Sequence, residues 1–243
     1  MRSPFLNISG KRIPRILLGT SPFIGAGQFG ARSRIYFSKF YLNPKNIVKI
    51  IDRCIELGII GIQALPEEPI IWAIREALKK YEEIIVVPSI ISVRDIELMQ
   101  EFECPLMLIH GAITNSRKVR MLEELLDRIR ETGSLAGLVT HTPITTMKWL
   151  INKNLKYEAL MLPVNKIGYM IDGTLDAMKH LVSKLGKHII AKKVLAAGRI
   201  PVKEAIEFVS KLPFIDVIAL GVASEEEAIE TFTIAKQLFL KQP

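Results

Sequence analysis

The sequence predicts a single (β/α)8 barrel, an α/β fold in which eight parallel strands are each followed by a helix. Three observations lead there. Short β-branched apolar runs alternate strictly with amphipathic helical patterns. Eight such pairs can be counted, and 243 residues shared among eight units gives about thirty each, the length of one strand–helix unit. Runs such as Ile84-Ile-Val-Val87 are apolar on both faces, as parallel strands covered by helices must be. A doubly wound open sheet fits the same alternation and is the second reading.

The elements follow in order. Arg15–Thr20 reads as the first strand. Residues 21–43 form a long loop with glycines, basic residues and aromatics but no clear period. Asn43 and Pro44 open a helix to Leu57 that carries Ile47, Ile50, Ile51, Cys54 and Ile55 at helical spacing, and Gly58 ends it. Strand Ile59–Gln63, helix Glu68–Lys80, strand Ile84–Val87 and helix Val93–Glu101 come next. Strand Pro105–Ile109, helix Arg117–Glu131, strand Leu135–Thr140 and helix Ile144–Asn152 continue the pattern. Strand Ala159–Leu162, helix Thr174–Leu185, strand His188–Ala191, helix Val202–Leu212, strand Ile215–Leu220 and helix Glu225–Leu240 complete it. No linker interrupts the series, so 1–243 is expected to be one domain, with 21–43 lying over the barrel mouth.

Composition narrows the class. A hydrophobic fraction of 49% argues against disorder, and two cysteines argue against a disulfide scaffold. Cys54 and Cys104 read as core thiols of a reducing compartment. Met1–Gly10 lacks a signal-peptide pattern, and every apolar stretch is broken by charge well short of about eighteen residues. A cytoplasmic protein with no membrane association is expected. Abundant Ile, scarce Gln and a Lys/Glu surface lean towards a heat-adapted, thermophile source. The net charge is +8, but the basic residues form no polybasic tail and no nucleic-acid-binding motif is present. The expected partner is an anionic small molecule; no nucleic acid is expected.

Gly25-Ala-Gly27-Gln-Phe-Gly30 fits G-x-G-x-x-G, a spacing that serves dinucleotides only where it joins a strand directly to a helix. Here Ser21–Ile24 intervene and no amphipathic helix follows. A flexible glycine loop carrying Arg32, Arg34, Tyr36, Lys39 and Tyr41 is the better reading, acting as a lid or entrance.

Barrel sites gather at the C-terminal ends of the strands. Thr20, Ser21, Gln63, Pro88, Ser89, His110, Thr140, His141, Asn165, Lys192, Lys193 and Gly221 fall there. His110 and His141 are candidates for hydrogen-bonding a carbonyl or moving a proton. Strand alternation sends one of Lys192 and Lys193 inward, to hold an anion or form a Schiff base. Gly198, Arg199, Gly221 and Ser224 flank two helix starts, a seat for phosphate, although Ser224 also suits plain capping. No third ligand joins the two histidines at zinc-like spacing, so no metal is expected.

Several fragments, in order between Ile16 and Phe232, resemble the aldo-keto reductase family. They are Leu18-Gly-Thr20, Leu57-Gly-Ile-Ile-Gly-Ile-Gln-Ala64, Leu108-Ile-His-Gly111, Gly137-Leu-Val-Thr-His141, Leu162-Pro-Val-Asn165, Ala191-Lys-Lys193-Val-Leu-Ala-Ala-Gly198 and Ala219-Leu-Gly-Val-Ala-Ser224. The resemblance implies a barrel that reduces carbonyls with NADPH through an Asp–Tyr–Lys–His tetrad. Only the histidine carries over, to His110. Gln63 stands at the Asp position, Pro66-Glu67-Glu68-Pro69 replaces the Tyr region, and the Lys position falls near Pro88 or Ser89.

The reading that follows is a divergent oxidoreductase of a small carbonyl compound with an NADP cofactor. His110, His141, Lys193 and Gln63 stand in the catalytic set. Asn165, Gly198, Arg199, Gly221 and Ser224 stand in the cofactor-binding set. One alternative is a barrel lyase or isomerase acting on a phosphorylated or carboxylated molecule. The other is a non-catalytic ligand-binding protein on the same scaffold.

Overall fold

The structure, a computed structural model, describes residues 2–241; Met1, Gln242 and Pro243 lie outside them, as do those ends of the single-domain expectation. The chain opens with a hairpin that hydrophobic periodicity did not reveal. β1 (Phe5–Ile8) and β2 (Lys11–Pro14) pair antiparallel across Ser9-Gly10, which take φ of 48° and 81°. Two positive φ values suit the tight turn that matches strand twist.

Eight barrel strands follow: β3 (Ile16–Gly19), β4 (Gly61–Gln63), β5 (Ile85–Val86) with β6 (Ser89–Ile90), β7 (Leu106–Ile109), β8 (Leu135–Val139), β9 (Ala159–Pro163), β10 (His188–Lys192) and β11 (Val217–Leu220). All pair in parallel, in the order β5-β4-β3-β11-β10-β9-β8-β7-β6. β5 and β6 are halves of one strand interrupted at Pro88. Val87 and Ser89 donate to Ile62 and Ala64 on one side, each at 2.8 Å, while Pro88 and Ile90 accept from Leu108 and His110 on the other, also at 2.8 Å. The proline removes one donor but keeps its carbonyl in the ladder, so the strand runs three residues past its expected end and closes the barrel.

The helices are α1 (Arg32–Tyr36), α2 (Lys45–Glu56), α3 (Glu68–Leu78), α4 (Val93–Met99), α5 (Gly111–Ser116), α6 (Val119–Glu131), α7 (Pro143–Leu150), α8 (Leu175–Leu185), α9 (Val202–Ser210) and α10 (Glu225–Leu238). Their apolar stripes cover the outer faces of the strands; Ile47, Ile50, Ile51 and Cys54 of α2 do so at 0–3% exposure. A second cluster fills the barrel interior, with Leu17, Val87, Leu108, Met161 and Ile190 packed together with Leu6, Ile8 and Ile13 of the hairpin. The hairpin therefore plugs the N-terminal end. Gly61 allows this approach, since a Cβ there would come 2.6 Å from the Leu17 side chain and 2.8 Å from that of Pro14.

The segment expected as a loop over residues 21–43 is largely helical. One-turn 3-10 helices at Ser21–Ile24 and Gly27–Phe29 precede α1, and Phe37–Tyr41 continues it with π-type pairing. Gly25 (φ 59°) turns the chain where a Cβ would lie 2.9 Å from that of Phe37 and closer still to the Ser33 carbonyl. Phe23 and Phe40, ring centres 5.0 Å apart and fully buried, anchor this strap. Among the described residues no helix is long and apolar enough to cross a membrane.

Candidate active site

A cavity of about 520 Å³ opens at the C-terminal mouth, beneath the strap. Its lining includes Val139, Met161 and Ala219, which also belong to the apolar cluster inside the barrel and give the cavity an apolar floor. Gln63, Ser89, His110, His141, Lys192 and Lys193 add polar groups from the ends of β4, β6, β7, β8 and β10. The four sequence candidates for chemistry, Gln63, His110, His141 and Lys193, thus meet in one cavity.

His110 follows β7 and caps α5, a short helix not expected from the sequence; its Nδ1 accepts the Ala112 N–H at 3.2 Å. That leaves the ring proton on Nε2. His141 follows β8, its ring 5.5 Å from that of His110 and inclined at 66°. Its loop is braced from below. Thr140 Oγ1 bonds Asn115 at 3.0 Å and Thr146 at 2.8 Å, and accepts the Thr142 N–H at 3.0 Å. Asp172 holds the N–H groups of Ile144 and Thr145, each at 2.9 Å. Gly111 makes room for the imidazole: a Cβ there would lie 2.5 Å from His141 Cδ2.

Lys192, the last residue of β10, places Nζ 3.1 Å from His141 Nδ1. Burial, reinforced by the Lys193 charge, holds its amino group well below the usual ammonium range. Burial also lowers His110, with help from Lys192. His141 is lowered to about 3 by burial, then by Lys192, Lys193 and His110. Both imidazoles are therefore neutral at neutral pH. With the lysine donating to Nδ1, His141 keeps its proton on Nε2, as His110 does.

Lys193 departs from the expected alternation. Its φ of 57° turns the chain out of the strand, so both neighbouring lysines line the cavity. Lys193 Nζ donates to Met170 Sδ at 3.0 Å. Gln63, 7% exposed, donates to Ser89 Oγ at 3.0 Å, a neutral pair on adjacent strands. Ser89 was legible as a mouth residue, and Lys192 shared with Lys193 the expectation of one inward lysine but was left out of the catalytic set; what distinguishes Lys192 is its contact with His141 across 51 positions of sequence.

At the rim, Ala196, Ala197 and Gly198 take three successive left-handed conformations, φ 46°, 56° and 78°. Arg32 from the strap donates to the Ala197 carbonyl, and a Cβ at Gly198 would lie 3.1 Å from its guanidinium. Gly221 sits under Pro22, where a Cβ would lie 2.9 Å from the ring. Gly198 and Gly221 line the cavity; Asn165, Arg199 and Ser224 stand behind it. Asn165 is buried and bonds both backbone groups of Tyr169, at 2.7 and 3.0 Å, while Arg199 stacks over the Tyr169 ring at 4.2 Å. Ser224 caps α10, accepting the Glu227 N–H at 3.1 Å, and Glu227 in turn accepts the Ala223 N–H at 2.8 Å. Tyr169, which periodicity gave no reason to notice, ties the strap down through its hydroxyl to the Gln28 carbonyl at 2.8 Å. Among the described residues no group of three His, Cys, Asp or Glu is placed to hold a metal ion.

No protein-family model matches the chain, and no curated protein sequence matches it. Solved structures do. PA4992 from Pseudomonas aeruginosa, assigned provisionally to the aldo-keto reductases, superposes with a TM-score of 0.68 at 19% identity, covering 94% of this chain and 92% of its own. The aldo-keto reductase AKR11C1 from Bacillus halodurans gives 0.63 at 12% identity, over 96% and 90%. A variant of Gox0644 crystallised with NADPH gives 0.67 at 11%, over 95% and 88%. The chain has the barrel fold of these proteins.

Proposed function

We propose that the protein is an oxidoreductase acting on a small carbonyl compound, with NADP(H) as hydride carrier. One observation carries this reading: two neutral imidazoles, each engaged at Nδ1, border one apolar-floored cavity at the mouth of a barrel whose fold is that of solved aldo-keto reductases. Neutral imidazole N–H groups are suited to polarise a carbonyl oxygen.

The cavity fits a nicotinamide dinucleotide. It extends from the histidines to the backbone of Gly198 and Gly221, which Arg32 and Pro22 of the strap approach from above. Gly198, Gly221 and Arg32 would hold the cofactor, and Asn165, Arg199 and Ser224 would act from behind by fixing the loops. When bound, it supplies the hydride. His110 then orients the carbonyl by donating from Nε2. As charge develops on that oxygen, His141 gives it the Nε2 proton and receives one at Nδ1 from Lys192, whose weakened hold on its proton suits a donor. Gln63 and Ser89 close the polar side of the cavity as a neutral pair, in place of a charged one. Titrating the protein with NADPH and following cofactor fluorescence tests the reading; absence of binding at millimolar cofactor would sink it.

A second reading is favoured by Lys192 itself. An amine held below the ammonium range can attack a carbonyl carbon and lose water to give an iminium, as a lyase or isomerase needs. Borohydride reduction with pyruvate or dihydroxyacetone, followed by intact mass, would show a Lys192 adduct if that chemistry operates.

A further inference from the structure

Several lysines of this protein have an oxygen partner. Lys80 pairs with Asp52 at 2.7 Å, Lys166 with Glu204 at 2.6 Å, and Lys39 with the Ala223 carbonyl at 2.7 Å. The two lysines in the cavity differ. Among the described residues, Lys192 bonds only a neutral imidazole nitrogen and Lys193 only a thioether sulfur, and neither makes an ion pair. Glu227 and Glu230 also line the cavity, but among the described residues neither is ion-paired with Lys192 or Lys193, and Glu227 accepts the Ala223 N–H. Two lysine amino groups thus line one cavity with no carboxylate in ion-pair contact with either, and Lys192 is half-buried. Burying a cation unpaired is costly, and a chain that needed only packing would place an apolar side chain there.

We propose that Lys192 and Lys193 form an oxyanion-binding subsite, so that the substrate is a carbonyl compound bearing a carboxylate or phosphate group. The inference rests on the carbonyl-oxidoreductase reading for the word carbonyl, but the anion site stands without it. His110 and His141 would take the carbonyl oxygen while the lysines take the anionic group. An anion in the subsite also favours the charged form of Lys192, the form that passes a proton to His141.

The test is calorimetric titration of the full chain, without cofactor, with oxalate and with inorganic phosphate at low ionic strength. Oxalate or phosphate binding that weakens at least tenfold in Lys192→Met and in Lys193→Met supports the subsite, and the tighter anion tells whether the substrate carries a carboxylate or a phosphate. Lys192→Met replaces a half-buried amino group that makes no ion pair and is expected to fold; circular dichroism of both variants checks this. No binding of either anion at millimolar concentration, or binding unchanged in both variants, overturns the proposal. Turnover assays keep the two readings apart. NADPH-dependent reduction of neutral methyl ketones as efficient as that of 2-oxo acids leaves the oxidoreductase reading standing and removes the subsite. Anion binding at the two lysines with no reduction of any carbonyl does the reverse.

Discussion

His141 lies against Gly111 so closely that a Cβ at position 111 would sit 2.7 Å from Nε2 of the imidazole. The glycine starts α5 immediately after His110, so a single residue governs the positions of both rings. Gly111→Ala is expected to leave stability within about 1 kcal/mol of the parent, because alanine's helix preference of about 1 kcal/mol offsets part of the overpacking. The ring has the cavity to move into. Turnover is expected to fall about tenfold or more, equivalent to an activation barrier raised by ~1.4 kcal/mol. Urea melts beside steady-state assays separate the two effects, and an unchanged imidazole NMR spectrum with unchanged turnover would contradict the assignment.

The low proton affinity of His141 has a consequence for stability. Unfolded, the residue titrates near 6.5; folded, it titrates at about 3, with Lys192, Lys193 and His110 all facing it. As pH falls from above 6.5 towards 3, the unfolded chain takes a proton that the folded chain refuses. The stabilisation present above pH 6.5 is therefore lost through that window, by up to about 1.4 kcal/mol per pH unit for one proton. His141→Gln removes this contribution, so its unfolding free energy is expected to fall less steeply between pH 7 and pH 4.5. Parallel curves for the two proteins would show that His141 is not held neutral.

Much of the barrel was legible because each strand and helix repeats one pattern, and the strand ends then located Gln63, His110, His141 and the lysine pair. What was hidden has local physical causes. β1 and β2 are four residues each, and β2 carries two charges and a proline, so only their packing against Leu17 and its neighbours identifies them. The strap hides its order because its turns are short and few of its side chains are buried, Phe23 and Phe40 among them. Lys193 was expected to alternate with Lys192, but a left-handed residue ends the strand there and alternation ends with it. Ser224 carries a capping pattern as readily as an anion-binding one, and its side chain caps.

The hairpin and the site lie at opposite ends of the barrel, which makes stability and binding separable. Ile13 is 1% exposed and packs into the interior cluster from below. Ile13→Ala is expected to cost about 2–5 kcal/mol, the usual range for emptying such a position. Affinity for NADPH and for oxalate is expected to be unchanged under conditions where the variant remains folded. A loss of affinity in the folded variant would mean that the plug also sets the shape of the mouth.

The strap is held by two kinds of contact that differ in strength, and this determines where it opens. Its C-terminal half is anchored by apolar burial of Phe40 against Phe23. Its middle is tied to the mouth by single polar contacts, Arg32 to the Ala197 carbonyl and Tyr169 to the Gln28 carbonyl. The Tyr169 bond contributes about 1 kcal/mol net and the charged Arg32 bond about 1.5–3 kcal/mol, whereas the two buried phenylalanines contribute about 1.5–3 kcal/mol each. Removing both ties with Arg32→Ala and Tyr169→Phe should therefore loosen the middle first. Hydrogen exchange measured by mass spectrometry is expected to rise about tenfold or more in peptides spanning 26–34, at ~1.4 kcal/mol per decade. Peptides over 37–41 should change little. Because the middle covers the cavity, ligand dissociation from the double variant should accelerate alongside that exchange. Uniform loosening of the whole strap would instead place its main anchor at the polar ties.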